Sequence, residues 1–358
     1  MNSNDKYIDI RQLPGSKEVY IIKEAGYFPV LATLSEREVI AVLRSGAGHV
    51  GIEGRLDVVR SEDGGDSWLA PITVADSDWD DRNPALGIAK SGTIVLAYHA
   101  QGSYDVNGKF APSLKNVDMY VTRSHDGGIT WEKPYLLNFE PLRPHSAYGK
   151  ILTLPDGTLL MPIYGQATGV LDCEAGIQSK SGCLSYLLRS KDEGLTWGDP
   201  SVVGADLNEA AYLLLPDGEL LGVLRSNDAE QALYSCRSAD AGYTWTKPQR
   251  ITEPREHPAD LISLSHDYIL LTFGHRHPPY GVQGMISRDG GHTWDEKRLL
   301  FCDDRPGTDC GYPSSVRLTN GRIITAYYSA GEHQDAYQGD GAFAKAVVYE
   351  EAQLLANI

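Results

Sequence analysis

The phrase SEDGGDSW at residues 61–68 recurs along the chain and decides its fold. The four other copies read SHDGGITW (124–131), SKDEGLTW (190–197), SADAGYTW (238–245) and SRDGGHTW (287–294). All five follow the pattern Ser-x-Asp-x-Gly-x-Ser/Thr-Trp, and consecutive copies start 48 to 66 residues apart. A repeat of about 50 residues is typical of an array of supersecondary units.

The residue types in this phrase are sufficient to build a tight turn. The Asp carboxylate and the Ser hydroxyl can accept backbone N–H bonds, and the Gly adopts a φ that a residue with a Cβ resists. The Trp buries a large apolar face against its own repeat. We therefore interpret the five aspartates as structural rather than catalytic.

A second repeat raises the number of units to six. Eleven-residue hairpins align without gaps at LSEREVIAVLR (34–44), IAKSGTIVLAY (88–98), LPDGTLLMPIY (154–164), LPDGELLGVLR (215–225), LSHDYILLTFG (264–274) and LTNGRIITAYY (318–328). Each has a turn signal between β-branched and aliphatic runs, as buried strands joined by a short turn should. A further strand candidate lies between each hairpin and its Trp phrase, and the Trp phrase is then the third turn of a four-stranded antiparallel meander.

The sequence thus predicts an all-β fold, a single six-bladed β-propeller of four-stranded antiparallel blades over residues 1–358. The sixth unit has a third strand, AFAKAVVYE (342–350), but no Trp phrase after it. We expect the N-terminal segment EVYIIKEA (18–25) to supply the missing outer strand and close the ring. Radial closure of this kind protects sheet edges from pairing with other chains.

Composition excludes several classes of function. The chain of 358 residues has 32 basic and 48 acidic side chains and a formal charge of −16, which argues against nucleic-acid binding and against a polybasic membrane surface. No run of eighteen apolar residues is present, so we predict no membrane span. The first residues lack an apolar signal region, so we expect a cytoplasmic protein, with export left open. The composition does not set the oligomeric state.

The five cysteines are odd in number and include no CxxC spacing. They are Cys173, Cys183, Cys236, Cys302 and Cys310. This pattern favours reduced thiols over a disulfide framework or a zinc site. Pairing of Cys173 with Cys183, or of Cys302 with Cys310, is the alternative for an exported chain.

The meander also predicts which face of the propeller carries a site. The first and third turns of the meander, the third being the Trp-bearing one, lie at the bottom, so the starts of the first strands and the ends of the second strands share the top. Counting back six residues from each hairpin gives a ring at the top of the central channel: Phe28, Arg82, Tyr148, Glu209, Pro258 and Tyr312. The ends of the second strands add Arg44, Tyr98, Tyr164, Arg225, His275 and Arg276.

Four arginines are thereby predicted on one face of an acidic protein: Arg44, Arg82, Arg225 and Arg276. Guanidinium groups match carboxylate oxygens, so we expect an anionic ligand there, with Asp81 and Tyr148 as further contacts. The alternative is that the arginines form structural ion pairs with Asp80, Asp81, Glu209 or Glu256. The sequence HRH at 275–277 only suggests metal ligands, so we predict no metal and no cofactor.

With this architecture, the sequence resembles the sialidase (neuraminidase) superfamily, whose members carry such Asp boxes on a six-bladed propeller. The resemblance covers essentially the whole chain. It implies that Tyr312 in GYPSSVRLTNG (311–321) is a nucleophile and that Glu209 in NEAAYLLLPDG (208–218) is its base. It also implies that Arg225 in GVLRSN (222–227) binds a substrate carboxylate.

Three positions depart from the pattern of that superfamily. Tyr27 in GYFPVL (26–31) occupies the place of a first-blade arginine. The arginine expected before the fifth Asp box is missing from YGVQGMIS (280–287), which offers Gln283 and Met285. His49 in SGAGHVGIEGR (45–55) aligns with the aspartate that serves as the acid/base. Arg82, Arg276 or Arg44 would then replace the two missing arginines from neighbouring blades.

The resemblance implies a retaining exo-glycosidase that acts on a terminal acidic sugar. A neutral phenol avoids the repulsion that an anionic nucleophile would meet at an anomeric carbon bearing a carboxylate. His49 would protonate the leaving oxygen. Two alternatives stay open, namely a polysaccharide lyase acting on uronates and a glycan-binding propeller without turnover.

Overall fold

Six small antiparallel sheets lie in a ring and form a six-bladed β-propeller, as the repeats predict. The computed structural model describes residues 6–168, 179–331 and 341–358. In the order of pairing from the axis outward, blade 1 contains Tyr27–Thr33, Val39–Ser45, Arg55–Ser61 and Ile72–Ala75. Blade 2 contains Asp80–Ile88, Ile94–Gln101, Val117–Ser124 and Tyr135–Leu137. Blade 3 contains Leu142–Ala147 with Leu152–Thr153, then Leu159–Ala167, Cys183–Ser190 and Gly198–Ala205.

The remaining blades follow the same meander. Blade 4 contains Leu207–Leu214, Leu220–Ser226, Leu233–Ser238 and Gln249–Arg250. Blade 5 contains Glu256–Ser263, Ile269–His275, Tyr280–Ser287 and Arg298–Arg305, with Tyr7–Asp9 added in parallel at its outer edge. Blade 6 contains Cys310–Arg317, Arg322–Ser329, Phe343–Glu350 and Lys17–Lys23.

One short strand, three 3₁₀ turns and one short α-helix complete the described elements. Gly149–Lys150 pairs in parallel with Asp80–Ile88, which joins blade 3 to blade 2 near the axis. The helical elements are the 3₁₀ turns Ile10–Gln12, Pro112–Leu114 and Ser265–Asp267 and the α-helix Glu351–Leu355. Among the described helices, none is long and apolar enough to cross a membrane.

The N-terminal segment closes the ring as predicted. Lys17–Lys23 pairs antiparallel with Phe343–Glu350, with Lys17 opposite Val348 and Lys23 opposite Phe343. The first and last parts of the chain therefore share one sheet. This arrangement covers the outer edge of the third strand of blade 6, which would otherwise be unpaired.

The Asp boxes form turns, as their residue types predict. In the second copy, Asp126 Oδ1 accepts bonds from Ser124 Oγ at 2.9 Å and from the Thr130 amide at 2.9 Å. Ser124 Oγ in turn accepts the Gly128 amide at 2.9 Å, and Gly128 has φ 85°. Trp131 donates its Nε1–H to the Gly128 carbonyl at 3.1 Å. The carboxylates of the Asp boxes form their hydrogen bonds within their own turns, which confirms that these aspartates are structural.

Apolar side chains from adjacent blades fill the space between the sheets. Val42 and Val58 of blade 1 pack in one buried cluster with Leu86 and Leu96 of blade 2. The alternation of side chains along each strand sends one set toward each neighbouring blade, so both faces of a blade are covered. Ring closure thus fixes the blades relative to the axis.

Four cysteines, Cys183, Cys236, Cys302 and Cys310, are buried and free. This confirms the prediction of reduced thiols for those four residues and rules out the Cys302–Cys310 pair in this structure. Cys173 lies outside the described residues.

A bulge at the start of the innermost strands sets the direction of the side chains around the axis. The pairing register shifts between Tyr27 and Val30 in blade 1, between Arg82 and Ala85 in blade 2, and between Gly311 and Ser314 in blade 6. Blades 3, 4 and 5 have the same irregularity at Leu142/His145, Leu207/Ala210 and Glu256/Ala259. A bulge re-aims side chains locally, and here it turns them into the top of the channel.

Candidate active site

Tyr312 and Glu209 meet at the top of the channel although 103 residues separate them in sequence. The Tyr312 hydroxyl donates to Glu209 Oε1 at 2.5 Å, and Arg225 Nη1 donates to Glu209 Oε2 at 2.8 Å. Only 7% of Tyr312 and 4% of Glu209 are exposed, so a small part of the pair faces solvent. The structure therefore brings together the three residues that fit the superfamily pattern in both position and type.

Burial keeps the Tyr312 phenol protonated. Desolvation is the main reason that the pKa of Tyr312 lies well above its usual value, and the negative charge of Glu209 raises the pKa further. Arg225 and Arg276 act in the opposite direction on this pKa. The result is a neutral phenol whose proton already points at a carboxylate, which is the arrangement of a nucleophile and its base.

Left-handed backbone conformations occur at the aromatic and polar residues that reach the axis. Tyr312 has φ 48°, Phe28 has φ 55° and Asn83 has φ 53°. A residue with a Cβ pays a conformational penalty there, and such residues cluster at functional sites. Together with the bulges, this conformation aims Tyr312 across the channel.

Aromatic rings hold Tyr312 in place on three sides. Its ring centroid lies 4.8 Å from that of Phe28, 4.9 Å from that of Tyr148 and 5.8 Å from that of Tyr328. Tyr148 meets it edge to face, at an interplanar angle of 83°. The predicted ligand contact Tyr148 is only 3% exposed and packs in the same buried cluster as Tyr312.

Three of the four predicted arginines surround this cluster. The Arg276 guanidinium lies 5.2 Å from the Tyr312 ring centroid, and the Arg82 guanidinium lies 5.4 Å from that of Phe28. Arg276 Nε and Nη2 and Arg225 Nε are buried and have no hydrogen-bond partner among the described residues. Buried polar groups are normally paired, so these free donors indicate a place for an acceptor from a ligand.

His49 packs against the Phe28 ring, which also packs against Tyr312. Its ring centroid is 5.1 Å from that of Phe28, and its Nδ1 contacts Asp309 Oδ1 at 2.7 Å. Asp309 Oδ1 also accepts the Tyr328 hydroxyl at 2.7 Å. A carboxylate only accepts, so the bond from Nδ1–H leaves Nε2 of a neutral imidazole with a free lone pair.

The charge state of His49 follows from two opposing effects. Desolvation is the larger one and lowers the pKa of His49 below its usual value, while the hydrogen bond and the charge of Asp309 raise that pKa. The same contact helps to keep the pKa of Asp309 low against the effect of its own burial. His49 is therefore neutral at neutral pH and charged only under more acidic conditions.

Arg44 does not bind a ligand directly, contrary to the prediction from its strand position. It has no exposed surface, and its Nε donates to Asp80 Oδ1 at 2.7 Å. Its remaining donors reach the carbonyls of Gly48 and Gly51, which flank His49. Arg44 thus holds the loop that carries His49, and a structural ion pair is the correct interpretation of this residue.

The predicted ligand contact Asp81 is also a structural residue. It has no exposed surface, and Ser77 donates to it from its amide at 2.7 Å and its hydroxyl at 3.0 Å. Burial raises the pKa of Asp81 to about 6. Its neighbour Asp80 instead faces the arginines and pairs with Arg82 Nη1 at 3.2 Å.

Asp309 and Tyr328 are two residues near His49 that were not predicted from the sequence. Tyr328 is the last residue of the sixth hairpin, the same position as Arg225 and Tyr164 in theirs, so the alignment of the repeats could have found it. Asp309 precedes the strand Cys310–Arg317 and belongs to no repeat, so no sequence signal marks it.

One cavity lies on the axis and a smaller one lies on blades 2 to 4, and the lining of the larger cavity does not include Tyr312. A cavity of about 460 Å³ opens between the later halves of the inner strands, away from Tyr312, where Lys150 pairs with Asp260 at 2.8 Å. A cavity of about 260 Å³ lies on blades 2 to 4, and Asn208, which precedes Glu209 in sequence, is part of its lining. Uncharged polar side chains line much of it, including Ser146, Tyr164, Asn208 and Asn227.

This geometry agrees with comparisons to known proteins. The model of the BNR repeat-like domain matches residues 41–325, which is most of the chain. The chain belongs to this family. A curated sialidase from Bacteroides fragilis is 27% identical over 233 residues, which is 60% of this chain and 40% of that protein. The resemblance to the sialidase superfamily is thereby confirmed, and the chain spans less than half the length of this relative.

Solved structures show the same fold. A protein of unknown function from Dyadobacter fermentans has a TM-score of 0.76 at 24% identity, with 94% of this chain and all of that chain covered. The Hadza microbial sialidase Hz136 has a TM-score of 0.69 at 20% identity and covers 91% of this chain and 66% of its own. Trypanosoma rangeli sialidase has a TM-score of 0.69 at 13% identity, with coverage of 96% and 61%.

At two of the three departures from the superfamily pattern, the residues are packed inside the protein. Tyr27 is 1% exposed and its ring lies 5.1 Å from that of Tyr328. Gln283 and Met285 are each 3% exposed. Positive charge at this site of the BNR repeat-like domain therefore comes from Arg225, Arg276 and Arg82.

Proposed function

We propose that this protein is a retaining exo-glycosidase that releases a terminal acidic sugar. The observation that carries the proposal is the chain of contacts from Tyr312 through Glu209 to Arg225, beside the unpaired nitrogens of Arg276. A glycosidase for sugars with a carboxylate at the anomeric carbon needs an uncharged nucleophile and a cationic surround. The relation to the Bacteroides fragilis sialidase supports the same class of reaction.

In the first step, the Tyr312 oxygen attacks the anomeric carbon while Glu209 accepts the phenolic proton. The bond to the leaving oxygen breaks, and a protonated His49 supplies the proton that this oxygen needs. In the second step, neutral His49 takes a proton from water, and the resulting oxygen displaces Tyr312 from the sugar. Glu209 returns its proton to the phenolate, so the enzyme regains its starting state.

The arginines would orient the substrate through its carboxylate. Arg276 and Arg225 supply free donors beside Tyr312, and Arg82 adds a third cation whose only ion pair among the described residues is with Asp80. The cavity that Asn208 helps to line would receive hydroxyl or amide groups of the substrate, because its lining is largely polar and uncharged. The charged contacts between the protein and the substrate would thus be confined to one side of the site.

Hydrolysis of a panel of chromogenic acidic glycosides tests the proposal. Tyr312→Phe should lower kcat on every substrate by at least about 10³-fold, since the nucleophile is removed. Tyr327→Phe is the matched control, because Tyr327 is a buried tyrosine on the next strand of the same blade, and its hydroxyl donates to Glu18 Oε1 at 3.2 Å. Equal activity of the two variants would refute the assignment of Tyr312, and binding of glycosides without turnover would favour a glycan-binding propeller.

A second candidate, a polysaccharide lyase acting on uronates, is favoured by the neutral state of His49. An unprotonated Nε2 can remove the proton beside a uronate carboxylate that an arginine neutralises, and Tyr312 can protonate the leaving oxygen. The product would carry a carbon–carbon double bond conjugated to the carboxylate. Ultraviolet absorbance that grows with product would support the lyase, whereas a reducing sugar without new absorbance supports the hydrolase.

A further inference from the structure

A cluster of two histidines and one glutamate lies on blade 5, next to Arg276 but outside the contacts of Tyr312. Glu256, His275 and His277 each offer one ligand atom, and these three atoms lie within 4.8 Å of one another. His275 Nε2 and His277 Nε2 are both 3.8 Å from Glu256 Oε1. Two imidazole nitrogens thus converge on one carboxylate oxygen without reaching hydrogen-bond distance.

The orientation of His275 is fixed by its second nitrogen. Nδ1 of His275 lies 2.8 Å from the Pro279 carbonyl, which can only accept, so the proton is on Nδ1. Nε2 therefore presents its lone pair toward Glu256. A histidine that binds a metal commonly donates its other N–H to a carbonyl or carboxylate in this manner.

The two carboxylate oxygens of Glu256 have different surroundings. Its Oε2 accepts the Glu253 amide at 3.0 Å and lies 3.4 Å from Arg298 Nη2. Its Oε1 faces both imidazoles. Glu256 is 3% exposed, so its orientation is set by the fold, and Oε1 is left for a further partner.

The spacing fits a small divalent ion after a modest contraction. Zinc binds imidazole nitrogen and carboxylate oxygen at about 2.0–2.2 Å, so two ligand atoms on a tetrahedral ion lie roughly 3.3 Å apart. The observed 3.8 Å distances exceed this value by about half an ångström. His277 has a side-chain exposure of 39% and can close that gap by rotation, and it also gives an ion a route from solvent.

We propose that Glu256, His275 and His277 form a binding site for a late first-row divalent cation, Zn²⁺ in the first instance. Two imidazoles and one carboxylate are a ligand set of open zinc sites, with a fourth position for water. This proposal replaces the prediction of no metal, which considered only the HRH sequence. The third ligand, Glu256, lies 19 residues before His275 and is brought beside it by strand pairing, in which the two residues are opposite each other. Since Arg276 lies between two of the ligands in sequence, a bound ion would also anchor the segment that carries it.

Titration of the metal-free full-length protein with Co²⁺ and Zn²⁺ tests the site. We expect one equivalent of Co²⁺ to bind, with visible absorption of a four- or five-coordinate nitrogen and oxygen site and without a thiolate charge-transfer band. The absence of that band separates this site from the four buried cysteines. Zn²⁺ should displace Co²⁺ and raise the Tm, whereas Mg²⁺ and Ca²⁺, which prefer oxygen ligands, should do neither.

His277→Ala is the decisive variant because this exposed side chain is the least important of the three for folding. It should weaken Zn²⁺ binding at least about tenfold and abolish the Tm shift, and Glu256→Gln should do the same. His292→Ala is the control, since His292 is exposed in an Asp-box turn of the same blade. Unchanged affinity in His277→Ala, or no stoichiometric binding to the unaltered protein, would overturn the proposal. These readouts do not depend on glycoside turnover, so a failure here is distinct from a failure of the proposed function.

Discussion

Replacement of Arg276 by alanine should lower the catalytic activity strongly and leave the thermal stability of the protein nearly unchanged. The guanidinium lies 5.2 Å from the Tyr312 ring, and two of its nitrogens, Nε and Nη2, are buried without a partner among the described residues. If Arg276 had a structural role, its buried nitrogens would donate hydrogen bonds to acceptors of the protein itself. We therefore expect that they bind the carboxylate of the substrate, and that the free protein gains little from them.

The magnitudes follow from these contacts. Two hydrogen bonds to a charged acceptor contribute about 1.5–3 kcal/mol each, so their loss should lower kcat/KM by about 10²- to 10⁴-fold. In the free protein, Arg276→Ala removes a cation–π contact worth about 0.5–2 kcal/mol. It also removes two buried donors whose desolvation costs about 1–3 kcal/mol each. The two terms oppose each other, so the Tm should fall by no more than about 3 °C.

Steady-state kinetics on the best acidic glycoside and a thermal melt are the two measurements. Arg288→Ala is the matched control, because Arg288 pairs with Asp295 at 3.0 Å in the fifth Asp box and is 42% exposed there. The control should retain full activity. If Arg276→Ala keeps kcat/KM within about threefold of the unaltered protein, or loses stability in proportion to activity, the reasoning about free donors is wrong.

Three further variants test the proton chemistry and the turns. Glu209→Gln should lower kcat by about 10²- to 10⁴-fold in steady-state assays because an amide cannot take the phenolic proton; a kcat within tenfold of the original would exclude this base. Hydrolysis requires protonated His49, so kcat should fall as pH rises through the lowered pKa of His49. Asp309→Asn removes the groups that raise this pKa and should move that limb of the pH profile to lower pH; an unmoved limb would contradict the role of His49. Asp240 has a pKa of about 2, held down chiefly by the Thr244 amide, so its stabilising effect is present at neutral pH and is lost as pH falls from about 4 to about 2. Denaturant titrations should accordingly show Asp240→Asn less stable than the unaltered protein at pH 7 and equal to it near pH 2, and a deficit that persists at pH 2 would contradict this account.

The parts of the structure that depend on local chemistry could be predicted from the sequence. Each Asp box makes its own turn, as Asp126 and Ser124 show, and the repeat therefore fixed the number and polarity of the blades. Polarity placed Glu209 and Tyr312 at equivalent positions of different blades, and the ring closure then made them neighbours. The register of the repeats thus places both residues on one ring, and the bulge and the left-handed backbone at Tyr312 complete the contact.

The parts that depend on irregular loops could not be predicted in the same way. Arg44 and Arg225 have the same position in their hairpins, yet Arg44 is enclosed by carbonyls of the loop around His49 while Arg225 reaches Glu209. The repeat does not encode the path of that loop. Glu256 is similar, because only the pairing of its strand brings it opposite His275.

A covalent intermediate on Tyr312 is the most direct test of the proposed chemistry. An acidic glycoside with fluorine beside the anomeric carbon and a good leaving group should form the glycosyl–enzyme bond faster than water breaks it. Mass spectrometry of the digested protein should then show one sugar on the peptide that contains Tyr312, and none in Tyr312→Phe. Steady turnover of the parent glycoside with no adduct, or an adduct on another residue, would contradict the account.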